Sequence, residues 1–307
     1  MDLETYNEIR SGRAGFYEQN RGLIAVHGKE AVQFLDGMIT NDMKTLEDGQ
    51  QMLAAFPNAQ GRLIAVVRVL RQGDRFLFEI EEATREKLYQ NLFRFTFAGD
   101  FFVEDLSEQY SYFEIFGPVE DVYHPEVGQI IPGGLAYESR HGASYFVPAG
   151  EAERFRGFLL NENGCLAIEG ELYETLRIES GIPKFGVDMD ETTIVPELGL
   201  DSMISYNKGC YVGQEIIARI HFRGHVAKQL AGLVLSEPPA VAGGLTSGTE
   251  LLTADGKNAG KITSVAFSPK LQREIALGFV RYDYLADGTE LLSGDSQVSV
   301  RTLPFVN

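Results

Sequence analysis

From residue 228 onward the chain changes texture. The runs KQLAGLVL (228–235), TELLT (249–253), GKITSVAF (260–267), EIALGFVRYD (274–283) and QVSVRTLP (297–304) follow one another, separated by Gly, Asn and Asp turns and by no helical period. Successive short strands with no helix to cover their apolar face must cover it with each other, so this stretch is expected to be a small β-barrel or sandwich. The Pro/Gly-rich piece SEPPAVAGG at 236–244 reads as a loop inside that unit.

The preceding sequence alternates differently. GKEAVQFLDGM at 28–38 places Ala31, Phe34, Leu35 and Met38 at helical spacing, and LIAVVRVL (63–70) and RFLFEIE (75–81) read as a hairpin joined by RQGD. In the second strand Phe76, Phe78 and Ile80 alternate onto one face. A helical period returns over 82–95, then FFVED (101–105), YSYFEIFG (110–117) and ASYFVP (143–148) read as strands, and 151–164, 169–180 and QEIIARI at 214–220 as helices. Strands and helices in blocks, without sustained alternation, indicate an α+β body of antiparallel sheets. With 307 residues the expected division is an α+β body over 1–227, built of two subdomains, and a small C-terminal β-barrel over 228–307.

Charge and cysteine content remove several function classes. Twenty-seven Lys and Arg stand against 44 Asp and Glu, a net charge of −17, which offers no cationic footprint for nucleic acid or an anionic membrane. The start MDLETYNEIRSGRAGF lacks the pattern of a signal peptide, and the most apolar run is broken by Arg68, so the expected location is cytoplasmic, away from membranes. Cys165 and Cys210 are the two cysteines, and no C-x-x-C occurs; free thiols are expected, with no resident metal.

The stretch YNKGCYVGQEIIARIHFR at 206–223 carries the most chemistry. Gly209 and Gly213 bracket Cys210 in a tight loop before a helix, with Lys208 two residues away. A helix N-terminus and a nearby ammonium both favour a thiolate, so Cys210 is a candidate reactive or ligand-touching thiol; the alternative is a small buried residue in a Gly-rich turn. His221 and His225 have the minimal spacing of a metal pair but no third ligand in register, and Asp188, Asp190 and Glu191 lack the remainder of a calcium loop. Cys165 is read as structural.

The string K-G-C-Y-V-G-Q-E, Lys208 to Glu215, resembles the signature of the YgfZ/IBA57-type folate-binding proteins, relatives of the glycine-cleavage T-protein. VHGKEAVQFLDGMITNDM (26–43) resembles that family's N-terminal helix and T-N-D loop, and FPNAQGRLIA (56–65) its N-x-x-G-R hairpin entry. LRIESGIPKFGVDMDETTIVPEL (176–198) resembles the R-x-E-x-G-x-P block shared with T-proteins. The resemblance implies a ring-like folate-binding body of antiparallel sheets with helices, carrying the barrel, and tetrahydrofolate or a derivative as cofactor. It implies that Glu179 hydrogen-bonds the pterin, that Arg177, Thr40, Asn41, Arg62, Tyr211 and Gln214 belong to the same folate site, and that Cys210 and Lys208 form the functional loop. A carboxylate suits a pteridine edge because it can accept two N–H bonds side by side. Lys208 is expected to meet the anionic glutamyl tail of folate; a plain surface lysine is the competing view.

One departure separates this chain from the transferases it resembles. T-proteins carry an aspartate that orients the folate nitrogen, and FEIEEATREKL at 78–88 places Lys87 about where it should be, with Glu81, Glu82 and Glu86 as shifted substitutes. The expected function is therefore a tetrahydrofolate-binding accessory protein, outside the usual enzymes, supporting iron–sulfur cluster assembly or repair, with iron–sulfur client or assembly proteins as partners. The alternative is a tetrahydrofolate-dependent aminomethyl- or methyltransferase. A third reading, Cys210 as an enzymatic nucleophile, requires one of His27, His124, His141, His221 or His225 within hydrogen-bond reach.

Overall fold

The computed structural model describes residues 1–117, 131–139, 141–236 and 244–306. The described chain separates into two compact units, the first formed by residues 1–35, 43–53 and 67–173, the second by 36–42, 54–66 and 174–307. The fold is mixed α+β with antiparallel sheets, few helices and a closed C-terminal barrel. Most of the SEPPAVAGG loop, and His124, lie outside the described residues.

Among the described residues ten strands precede the barrel: β1 (Gly15–Gln19), β2 (Arg21–His27), β3 (Gln51–Pro57), β4 (Leu63–Gln72), β5 (Arg75–Glu81), β6 (Phe102–Asp105), β7 (Tyr110–Phe116), β8 (Leu135–Ser139), β9 (Gly142–Pro148) and β10 (Leu166–Ala167). They form two five-stranded sheets, ordered β10-β1-β7-β9-β8 and β3-β4-β5-β2-β6. The helices among the described residues are α1 (Leu3–Arg10), α2 (Ala31–Asp36), α3 (Glu82–Phe93), α4 (Ala152–Asn161), α5 (Gly170–Glu179) and α6 (Gln214–Arg223). No helix among the described residues is long and apolar enough to cross a membrane.

The expected one-sided alternation of β5 is corrected. Phe76, Leu77, Phe78, Glu79 and Ile80 are all buried, because Leu77 joins Leu23, Ala25 and Leu70 in packing against Tyr112, Tyr137 and Phe146 of the other sheet. A strand buried on both faces carries no hydrophobic alternation. Cys165, as expected of a structural residue, lies in a second core with Phe113, Tyr145 and Phe155, and burial pushes its thiol up to about 11.

In the second unit the barrel closes through β11 (Lys228–Leu235), β12 (Glu250–Leu252), β13 (Asn258–Ser268), β14 (Arg273–Arg281), β15 (Glu290–Ser293) and β16 (Ser296–Arg301), in the order β11-β14-β13-β12-β15-β16. Its interior is filled by Leu233, Leu251, Ile262, Val280, Val298 and Val300 among others, alternating along each strand with outward-facing residues. Closure pairs every edge of the barrel and leaves none for aggregation.

Candidate functional site

The loop 206–213 alternates inward and outward. Lys208 and Tyr211 are buried, whereas Asn207, Gly209 and Cys210 are exposed. Gly213, at φ +79°, ends the loop and caps α6; a Cβ there would stand 2.5 Å from the Asn58 carbonyl oxygen, so the position requires glycine twice over. The start of α6 is thereby held close to the turn Asn58–Gly61.

Lys208 is neither a surface residue nor a free charge. Its ammonium donates to the carbonyl oxygens of Asp36 (2.6 Å), Ile39 (3.1 Å) and Asn41 (2.6 Å), stands 3.1 Å from Asp36 Oδ1, and has a side-chain exposure of 0%. The expected contact with a glutamyl tail is corrected, since a side chain sealed in a carbonyl cradle presents no cation to a ligand. The ring of Tyr211 lies under the same ammonium at 5.2 Å, and burial pushes its phenol up to about 12. Lys208 thus staples the cysteine loop to the segment 36–41.

That segment is wired just as fully. Thr40 Oγ1 donates to the Met203 carbonyl (2.6 Å) and accepts from Ala55 N–H (2.9 Å), while Asn41 Nδ2 donates to the Ser202 carbonyl (3.0 Å). Val212 N–H donates to the Gly37 carbonyl, and Leu63 N–H to the Thr193 carbonyl. Arg62 projects to solvent, and the Gln214 amide donates to the Gly209 carbonyl at 3.4 Å.

Arg177 and Glu179, at the end of α5, are buried rather than solvated. Arg177 donates to Asp188 Oδ2 (2.8 Å), Glu174 Oε2, the Ile182 carbonyl and Ser264 Oγ. Asp188 also accepts from Lys184 N–H and from the Thr263 and Ser264 hydroxyls, so this member of the acidic cluster serves the ion pair, while Asp190 accepts from Thr192. Glu179 accepts from Ser268 Oγ, its carbonyl accepts from Phe305 N–H, and its exposure is 0%.

Cys210 is exposed, and among the described residues its sulfur has no hydrogen-bond partner. The described histidines are engaged elsewhere: His27 stacks on Phe102, His141 on Phe116, His221 on Tyr206 at 3.6 Å and His225 on Tyr282 at 3.7 Å. The two stacks separate His221 from His225 by partner and disfavour a shared metal. Among the described residues no group of three or more His, Cys, Asp or Glu is placed to hold a metal ion.

Sequence reading missed an ionic cluster inside the first unit. Glu79 pairs with Arg21 and with Arg68 (3.4 Å), and Arg68 donates to Gln51 (3.1 Å). Burial pushes the Glu79 carboxyl up, but the two guanidiniums outweigh it and hold it below the usual range. Nearby Glu114 accepts from Gln19 (2.8 Å) and faces His141 at 3.5 Å, and burial pushes its carboxyl up to about 7. Arg68 interrupting LIAVVRVL was the one visible signal.

The N-terminal stretch 5–121 matches the GCVT N-terminal domain, and 228–305 matches the glycine cleavage T-protein C-terminal barrel domain. An aminomethyltransferase of Rubrobacter xylanophilus is 27% identical over 99% of this chain and 85% of its own length. An iron–sulfur cluster assembly factor IBA57 homolog of Mycosarcoma maydis is 27% identical over 72% of this chain and 58% of its own. Among solved structures, the glycine cleavage system aminomethyltransferase T of Bartonella henselae superposes with a TM-score of 0.86 at 21% identity, over 98% of this chain and 89% of that one.

Proposed function

From a chain that carries the GCVT N-terminal domain and the T-protein C-terminal barrel, and that has the T-protein fold, we propose an accessory protein that supports iron–sulfur cluster assembly or repair and binds tetrahydrofolate. The observation that carries this reading is Cys210: an exposed thiol, with no described histidine to activate it, on a loop anchored by the buried Lys208. Such a thiol suits transient contact with a cluster in transit better than nucleophilic turnover. With Cys165 buried, this chain would offer one thiolate, and the cluster, as cargo, would take its remaining ligands from a partner. The similarity to an assembly-factor homolog supports the same reading.

The residues nominated for the pteridine do not fit it as they stand. Thr40, Arg177 and Glu179 are buried and hydrogen-bonded to protein groups, so they are not open to a ligand edge as they stand. Folate binding rests on the family likeness and is tested by anaerobic calorimetric titration of tetrahydrofolate into wild type and Glu179→Ala.

The second reading, a tetrahydrofolate-dependent aminomethyltransferase, is favoured by relatives of that description that align over nearly the whole chain. Against it stands α3, where Lys87 is exposed, Glu82 pairs with Arg85 at 3.1 Å and Glu86 accepts from Gln90; Glu81, the third substitute, is half-buried at the N-cap of this helix. The deciding experiment is complementation. In a deletion strain, wild type and Cys165→Ala should restore iron–sulfur enzyme activities and Cys210→Ala should not. Full rescue by Cys210→Ala, with turnover of an aminomethyl donor by the purified protein, would replace the first reading by the second.

A further inference from the structure

The outer face of the barrel carries a cleft of about 640 Å³, lined in part by Glu197, His225 and Thr263. Along β13, Lys261 at this cleft and Ser268 beside Glu179 are seven residues apart, roughly 20 Å at 3.3 Å per residue, so the cleft is separate from the Glu179 environment.

Three cations meet there. Lys228 on β11 lies directly opposite Arg281 on β14, and Lys261 on β13 lies opposite Phe279, two residues before Arg281. Val280 points into the barrel core, so Phe279 and Arg281 point out, and their cross-strand partners Lys228 and Lys261 share that outer face. The Lys228 ammonium stands 4.5 Å over the Phe279 ring. Among the described residues none of the three cations has an ion-pair partner within 4.0 Å, although Glu197, Glu250 and Asp283 also line the cleft. Glu197 is occupied by Ile194 N–H, and burial pushes its carboxyl up. Glu250 and Asp283 are exposed at the rim.

Like charges directly opposite on neighbouring strands destabilise a sheet, so the Lys228–Arg281 pair stands out, whereas Lys261 lies opposite Glu250 and the Lys228 charge acts on the carboxylates of Asp190 and Glu197. One wall of the cleft is flat: His225 and Tyr282 stack at 3.7 Å with an interplanar angle of 11°. We infer that this cleft is a binding site for a small planar aromatic molecule bearing a carboxylate or phosphate, the anion between Lys228, Arg281 and Lys261 and the ring against the His225–Tyr282 pair. A bidentate guanidinium and an ammonium suit either anion, and an aromatic wall adds stacking.

The test is titration of the full chain with phenyl phosphate, benzoate and inorganic phosphate at low salt, followed by heteronuclear NMR and calorimetry. Saturable binding of phenyl phosphate, benzoate or both is expected, with shifts at His225, Lys228 and Tyr282; which of the two binds tighter identifies the anion. Lys228→Ala and Arg281→Ala should each weaken it at least tenfold, and Tyr282→Ala should weaken the aromatic probes while leaving inorganic phosphate unchanged. All three are surface changes, and Lys270→Ala, an exposed cation of the same barrel outside this cleft, should leave binding intact. Absence of saturable binding by the aromatic probes, or equal weakening by Lys270→Ala, would overturn the assignment by leaving only general charge attraction.

Discussion

The ammonium of Lys208 lies 2.6 Å from the carbonyl oxygen of Asn41, across 167 residues of sequence. Two more carbonyls and the Asp36 carboxylate also surround it. The lysine of the cysteine loop is thus an anchor that holds the loop in place, and the thiol two residues on is exposed.

Lys208→Met should therefore act on stability first. Removing the ammonium leaves a buried carboxylate and three carbonyls without their donor, a loss of about 3–5 kcal/mol for breaking a buried pair. Urea denaturation measures it. A loss below about 1 kcal/mol would mean that the cradle is solvated in solution.

The two cysteines should react in a fixed order. Cys210 is exposed, while the buried Cys165 thiol, pushed up to about 11, is both inaccessible and protonated at pH 8. Iodoacetamide followed by peptide mass spectrometry should label Cys210 alone in native buffer and both cysteines in urea. Labelling of Cys165 at a comparable native rate would contradict its place in the core.

Glu114 should make stability fall with pH. Its folded value of about 7 lies above the ordinary 4.5, so the folded state holds the proton more tightly than the unfolded one. The advantage is complete below pH 4.5 and is lost as pH rises to 7, a change of about 3 kcal/mol at 1.36 kcal/mol per unit. Glu114→Gln should remove that part of the slope, read as the difference between the two proteins' urea midpoints at pH 5 and pH 8. Parallel profiles would show that Glu114 is ionised throughout.

Two glycines of one loop should behave oppositely. Gly213→Ala puts a methyl 2.5 Å from the Asn58 carbonyl oxygen at φ +79°, and should cost about 2 kcal/mol or more. Gly209 has no heavy atom within 4 Å of a built Cβ and no left-handed φ, so Gly209→Ala should change stability by less than about 1 kcal/mol. Thermal melts of both variants check the pair, and equal losses would contradict the loop geometry.

Where strand signals were strong, the fold could be read directly. The five runs after residue 227 all became barrel strands, and β15 (Glu290–Ser293) was the barrel strand missed. In the body β3, QMLAAFP, escaped because Met, Leu and Ala favour helix; its partner strand decides its conformation. Arg21, Glu79 and Glu114 also escaped, since charged residues in strands read as outward-facing until a second sheet buries them.

The linear sequence by itself determined the barrel, the antiparallel α+β body and the glycine-bracketed cysteine before a helix, because turn chemistry and hydrophobic period act between near neighbours. Tertiary structure alone decided that Cys210 faces out, that Lys208 faces a carbonyl cradle 167 to 172 residues away, and that Arg177 and Glu179 are enclosed. A polar side chain's role depends on which distant groups converge on it, and local spacing carries no record of that.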